Sequence, residues 1–325
     1  MRVYRRLEEV PADFGPAALT IGNFDGVHSG HRRILRRLKA LSEEHGWKPS
    51  VLTFHPHPVR VVAPERAPRL MTSPERRAEL MGAEGVEQVL ILPFTPTVAL
   101  LSPEEFVRRI LVERLGARAV LVGDNFRFGH LHAGNVRLLA AMGRELGFET
   151  EIVPVAACRG RMVSSSTVRE LIERGRVALA ARFLERPYAL EGDVASGRGV
   201  GSSQTVPTLN LATAAEVLPA RGVYLTCTRD LESGREWNSI TNIGYRPTFG
   251  SSDQLTIETF LLDPLEGPTP RRIRVAFLEF VRDERRFENP EALKAQILKD
   301  VGVARRYFRR AGAWMRRPVG WAGPA

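Results

Sequence analysis

The residues best suited to chemistry crowd into the first half of the chain. Within Ile21-Gly22-Asn23-Phe24-Asp25-Gly26-Val27-His28-Ser29-Gly30-His31, two histidines stand three apart among glycines. All seven histidines fall between His28 and His132, and six pair closely: His28 with His31, His55 with His57, His130 with His132. Imidazole pairs can ligate zinc, but these lack the usual companions, a cysteine nearby or the glutamate of HExxH. Incidental surface histidines are a second reading. A third fits the neighbours better: Gly22 and Gly26 let backbone approach a ligand, Gly30 opens a helix, and a helix N-terminus turns its N–H groups and positive dipole toward an anion. Histidines there can donate hydrogen bonds to phosphate oxygens while charge builds in a transition state.

No histidine follows His132, so any acid/base step in the second half must use another group. Glu258 is the candidate, in the run Leu255-Thr256-Ile257-Glu258-Thr259-Phe260-Leu261-Leu262, where the two-residue period of a strand puts Thr256, Phe260 and Leu262 on its face. A carboxylate so placed can deprotonate a hydroxyl; the other reading is an edge-strand glutamate facing solvent.

The elements that must hold these residues follow from hydrophobic periodicity. Short apolar runs at Ala18–Ile21, Val51–Phe54, Val89–Leu92, Ala119–Val122 and Glu151–Val153 alternate with helical spacings such as Ile34, Leu35, Leu38, Leu41 and Phe106, Val107, Ile110, Leu111. Continuous apolar strands separated by helices predict an α/β, Rossmann-like domain with a parallel sheet covered on both faces. Ligands of such sheets sit at the strands' carboxyl ends, where GNFDGVHSGH, HPHP and GDNFRFGHLHAG would share one cleft. From Ala189 the pattern changes to strands near Tyr224–Thr228, Leu255–Leu262 and Ile273–Phe277 with a helix from about Pro290 to Arg309, which predicts a small antiparallel β-barrel with a C-terminal helix. The expected division is 1–186 and 187–325, after a helix opened by a Thr167-Val168-Arg169-Glu170 capping box.

A chain of 325 residues with 43% hydrophobic and 26% charged residues has the make-up of a folded two-domain protein. Its net charge of +10 points to anionic partners. The arginine pairs are scattered, which weakens a nucleic-acid reading. Two cysteines, Cys158 and Cys227, give no disulfide framework, and no apolar run reaches membrane-spanning length, so a cytoplasmic protein is expected.

GNFDGVHSGH resembles the HxGH motif of nucleotidyltransferases that attack the α-phosphate of ATP, and its long form is similar to the adenylyltransferase module of bacterial bifunctional riboflavin kinase/FAD synthetases. FHPHP at Phe54–Pro58, GDNFRFG at Gly123–Gly129 and SSSTVR at Ser164–Arg169 echo the same family in the same order. The resemblance implies that the loop Gly22, Asn23, Phe24, Asp25, Gly26 with His28 and His31 binds ATP, and that Asn125, Ser164, Ser165 and Arg169 complete the nucleotide site. It implies that Phe54, Pro56, Pro58, Phe126 and Phe128 flank a flavin ring, for which aromatic and proline faces are suited. Taken singly, Phe126 and Phe128 could be ordinary core and the serines only a helix cap.

In the second half the resemblance makes Glu258 the base toward the ribityl 5′-hydroxyl of riboflavin. Asn242–Thr248 and the blocks around Phe280–Phe287 and Gln296–Asp300 also match. One block departs: against the family's GRxLGFPTAN, this chain has Gly201-Ser202-Ser203-Gln204-Thr205-Val206-Pro207-Thr208-Leu209-Asn210. Thr208 and Asn210, the pair expected to hold Mg²⁺ and ATP phosphates, survive. Arg198, in the glycine-rich run 197–201, is the residue available to replace the lost arginine. The implied activity is phosphorylation of riboflavin by ATP to FMN, then adenylyl transfer to give FAD and pyrophosphate, with small-molecule partners only and no assigned oligomeric state. The alternative keeps FAD synthesis and makes the barrel a degenerate flavin-binding module; a basic nucleic-acid-binding protein is the reading from another class.

Overall fold

The computed structural model describes residues 1–154, 157–158, 161–195, 208–246, 254–285 and 287–312. The rewritten loop before Thr208, with Arg198 and Pro207, lies outside the described residues, as do Pro247 and Thr248. Packing divides the chain into two compact units, the first running to Ser165 and the second beginning at Ser166.

Six strands of the first unit form one all-parallel sheet: β1 (Arg2–Tyr4), β2 (Ala17–Ile21), β3 (Lys48–His55), β4 (Gln88–Pro93), β5 (Ala117–Gly123) and β6 (Glu149–Val153). Their spatial order is β1-β4-β3-β2-β5-β6. All five β2 residues are buried, because helices cover both faces. On one face Ala18, Val51, Val89 and Leu121 pack with Leu35, Leu38 and Leu41 of α1 (Ser29–His45). On the other, Leu19, Leu52, Leu90 and Val120 pack with Phe106, Val107, Ile110 and Leu111 and with Leu139 and Met142. The expected amphipathic segment around Phe106 is a π-helix over Phe106–Arg114, entered through a Ser102–Glu105 capping box.

The second unit opens with α-helices at Ser165–Glu173 and Val177–Leu184. The first of these starts before the expected capping box, so Thr167 lies within its first turn instead of capping it. A closed barrel follows, built of β7 (Tyr188–Ala195), β8 (Thr208–Ala212), β9 (Gly222–Asp230), β10 (Glu236–Arg246), β11 (Gln254–Leu261) and β12 (Arg272–Arg282). Its spatial order is β7-β8-β11-β10-β9-β12, antiparallel throughout. A narrow barrel leaves little interior room, and the residues that fill it here include a file of hydroxyls: Thr259–Thr241–Thr226–Ser239–Thr228, linked at 2.9, 2.9, 2.8 and 2.8 Å. All five residues are fully buried, so each hydroxyl must find its partner within the protein.

The C-terminal helix runs over Pro290–Gly312. Its Ala304, Val301, Tyr307 and Phe308 pack on Val223, Leu225 and Ile240, side chains on the outer face of the barrel. Arg282 donates to both carboxylate oxygens of Asp300, with Nε at 3.2 and 3.0 Å and Nη2 at 2.7 Å, and Gln296 donates to the same carboxylate at 2.8 Å. This fork fastens the helix to the end of β12.

Candidate functional site

The loop between β2 and α1 is shaped by left-handed backbone. Phe24, Gly26 and Val27 have φ of 50°, 77° and 39°. For a β-branched valine this is a true outlier, and such strain persists only where the surroundings hold it. Asp25 supplies the hold. It is 2% exposed, and its carboxylate accepts from the Met71 N–H at 3.0 Å, the Thr72 N–H at 3.1 Å and the Thr72 hydroxyl at 3.0 Å. The same hydroxyl accepts from the Gly26 N–H at 3.1 Å. Asp25 therefore pins the loop from beneath, which leaves backbone and histidines, not this carboxylate, as the groups suited to an anion.

His28 is the N-cap of α1: its Nδ1 accepts from the His31 N–H at 3.3 Å, and its ring stacks on that of His31 at 3.7 Å between centroids. With Nδ1 an acceptor, the neutral ring carries its proton on Nε2. Phe24 closes the other side of His31 at 4.9 Å. Of the arginines of α1, Arg32 and Arg36 pair with Glu84 and Arg37 with Glu151. The helix N-terminus, with its N–H groups and the positive end of its dipole, and the two imidazoles meet at this loop.

Three further motifs lie at or near this strand end. Ser165 donates its hydroxyl to the Asp25 carbonyl at 3.0 Å, so the serine motif is tied to the histidine loop. Asn23 joins its side-chain amide to Nε2 of His57 at 3.0 Å, bringing HPHP to the same place. His57 Nδ1 accepts from the Val59 N–H at 3.2 Å and caps the short helix Pro58–Val62. Phe54 meets Phe94 edge-on at 5.5 Å and is half-buried, as are Pro56 and Pro58. Beyond β5, Asn125 is exposed and Phe126 half-buried. Phe128, expected beside the flavin, is 6% exposed in the hydrophobic core and stacks under Phe126 at 5.5 Å. The ring presented outward is that of Phe126, with Phe128 as its support.

Arg77 and Thr72, which carry no motif signature, are central to this geometry. Arg77 lies on the helix Pro74–Gly82 and is 2% exposed. The available signal was an arginine sharing a helix face with Met81, four residues on and fully buried. His55 is held below the ordinary histidine range, first by burial and then by the charge of Arg77.

Strand register builds a second constellation on the barrel. Asn210 stands directly opposite Glu258, and Glu258 directly opposite Asn242. Directly paired residues share a face, and Leu209, Ile257 and Thr259 between them point inward and are buried. Thr208, two residues from Asn210, is on that same outer face and exposed. Beside Asn242, a β-carbon on Gly244 would lie 2.0 Å from Oε1 of Glu284, so the missing side chain makes room for a second carboxylate. Arg169, expected in the nucleotide site, is half-buried in the helix that opens the second unit.

Among the described residues, no group of three or more His, Cys, Asp or Glu side chains is arranged to hold a metal ion, and no helix is long and apolar enough to cross a membrane.

Comparison with known proteins matches both units. The FAD synthetase family model fits residues 10–167 and the riboflavin kinase model residues 184–308. A Pseudomonas fluorescens protein named bifunctional riboflavin kinase/FMN adenylyltransferase is 37% identical, over 94% of this chain and 97% of its own length. Proteins of the same name from Escherichia coli K12 and Haemophilus influenzae are each 33% identical, over 95% of this chain and 97% and 99% of their own lengths. Among solved structures, a Streptococcus pneumoniae chain titled macrolide-efflux protein superposes with a TM-score of 0.82 at 23% identity, covering 94% of this chain and 98% of its own. That likeness establishes the shared fold.

Proposed function

The chain belongs to the bifunctional riboflavin kinase/FMN adenylyltransferase family, and from that premise we propose how its residues divide the two transfers. The enzyme phosphorylates riboflavin with ATP to give FMN and ADP, then joins AMP from a second ATP to FMN, giving FAD and pyrophosphate. For function we place the division at 1–186 and 187–325. The reading extends to a cytoplasmic enzyme, supported by its two-cysteine composition.

In the first domain an FMN phosphate oxygen attacks the α-phosphorus of ATP. The new P–O bond forms as the bond to pyrophosphate breaks, with no covalent enzyme intermediate. His28, through Nε2–H, and His31 stabilise the charge that builds on the phosphate oxygens, together with the N-terminus of α1. Gly22, Asn23, Phe24 and Gly26 supply the backbone cradle, and Asp25 anchors it. Asn125, Ser164, Ser165 and Arg169 complete the nucleotide contacts, while Phe54, Pro56, Pro58 and Phe126 line the flavin, with Phe128 behind.

In the barrel Glu258 takes the proton of the ribityl 5′-hydroxyl as that oxygen attacks the γ-phosphorus of ATP and the bond to ADP breaks. Thr208 and Asn210 offer hard oxygens on the face of Glu258, a donor set that fits Mg²⁺. When bound, the ion would neutralise phosphate charge; the residues themselves fix where the phosphates lie.

The observation that carries the bifunctional reading over a degenerate barrel is the Asn210–Glu258–Asn242 row with Thr208 beside it. Incubation with ATP, Mg²⁺ and either riboflavin or FMN tests it. FMN and then FAD are expected from riboflavin; FAD from FMN alone, with no FMN formed from riboflavin, would sink the kinase assignment.

A further inference from the structure

Arg77 places a buried guanidinium directly behind the nucleotide loop. Its Nη1 donates to the Asn23 carbonyl and, at 3.2 Å, to the Thr53 hydroxyl, which itself donates to the Asn23 carbonyl at 3.3 Å. Two donors from different elements therefore converge on one peptide oxygen. Removing a guanidinium from water is costly, and neither of its described hydrogen bonds is to a carboxylate; Asp25 and Glu75 act on it only through their charge. Its Nε has no hydrogen-bond partner among the described residues. A leucine or methionine at this position would pack the helix against the sheet without that cost.

The geometry gives the arginine a task. In a trans peptide the C=O of one residue and the N–H of the next point in opposite directions, and the Asn23–Phe24 bond is not among the cis peptides. Holding the Asn23 carbonyl toward Arg77 turns the Phe24 N–H the other way, away from the buried helix. The side chain of Asn23 also reaches His57, so the pinned peptide joins the histidine loop to the HPHP turn.

We propose that Arg77 is a positioning residue for adenylyl transfer: by clamping the Asn23 carbonyl together with Thr53, it aims the Phe24 N–H at the phosphate undergoing attack and sets the nucleotide loop against the flavin turn. This rests on the adenylyl-transfer site proposed above. Its effect belongs in the transition state, so loss of the clamp lowers kcat for FAD formation more than it raises KM for ATP.

The test uses the full-length enzyme, with riboflavin phosphorylation in the same chain as control. Arg77→Met is expected to lower kcat for FAD formation about 100-fold, the scale of a small misplacement at a reacting centre, with KM for ATP changed less than about threefold. Arg77→Lys, which keeps a donor and the charge, is expected to recover at least about tenfold of that loss. Thr53→Val, nearly isosteric, removes the second donor without touching the charge and is expected to lower the same kcat about tenfold, so the proposal stays testable if Arg77→Met folds poorly. Native kcat in Arg77→Met, no recovery by lysine, or native kcat in Thr53→Val would each overturn the proposal. His31→Ala separates it from the reading beneath: full FAD synthesis in that variant refutes the site itself, whereas a dead His31→Ala beside active Arg77 and Thr53 variants refutes only the clamp.

Discussion

His28 caps the helix that carries His31, and the two rings lie stacked with planes 13° apart. One side chain thus serves the fold through Nδ1 and, in the proposed adenylyl transfer, is the hydrogen-bond donor through Nε2. The two duties can be separated. Asparagine is among the best N-caps, so His28→Asn should keep the stability of the protein within about 0.5 kcal/mol while losing the imidazole donor. FAD synthesis is expected to fall by about 100-fold or more. A stable His28→Asn enzyme with native FAD synthesis would show that the ring does no more than cap.

The two reactions should be separable by single substitutions. His31→Ala is expected to abolish FAD formation and leave riboflavin phosphorylation largely intact; Glu258→Gln should do the reverse. Product analysis after feeding riboflavin reads both at once, and equal loss of both activities in each variant would refute the division of labour.

Asp25 is an anchor, so its loss should be felt in stability. Removing a buried carboxylate that accepts from three donors leaves Met71 and Thr72 unsatisfied, and Asp25→Ala is expected to cost about 2–4 kcal/mol. Urea unfolding of the adenylyltransferase domain measures this. A cost under about 0.5 kcal/mol would mean that water replaces the carboxylate at no penalty.

Gly244→Ala tests the second carboxylate. The new methyl would displace the end of a flexible glutamate side chain and not backbone, so stability is expected to change by less than about 1 kcal/mol. Riboflavin phosphorylation should fall because Glu284 moves relative to Asn242 and Glu258, while FAD formation from FMN stays unchanged. Native kinase activity in Gly244→Ala would show that the position of Glu284 is immaterial.

His55 gives the fold a pH dependence of known sign. Partial burial, and then Arg77, hold its folded pKa below the ordinary histidine value of about 6.5, so below about that pH this one histidine binds more protons in the unfolded chain than in the folded one. Stability therefore declines as pH falls from about 6.5 toward the lower folded value. The melting temperature should drop between pH 7.5 and 5.5, and less steeply in His55→Gln; parallel curves for the two proteins would rule out this source.

The parallel sheet was legible because its strands are continuous apolar runs with no other stable home than between two helical layers. The barrel was legible only where strands run long and apolar. Thr208–Ala212, with one turn of alternation, and Glu236–Arg246, broken by Asn238, Asn242 and Gly244, gave weak patterns, since barrel strands bury one face and accept polar residues on the other. The π-helix at Phe106–Arg114 shares the helical period too closely to be told from an α-helix by spacing. At the candidate site, His28, His31 and the serines stood out because glycine, histidine and helix caps signal locally. Arg77, Thr72 and the turned-in carboxylate of Asp25 did not, because their partners are 24 to 54 residues away in the chain.

The hydroxyl file inside the barrel has a consequence of proton counting. Five hydroxyls share four contacts, and each contact takes one proton, so one proton is always left over. That surplus can sit at any of the five oxygens, and moving it by one place requires two neighbouring hydroxyls to reorient together, one turning to donate and the other turning away. The interior of the barrel therefore holds one orientational defect, and its electric polarity is set by where along the file that defect rests.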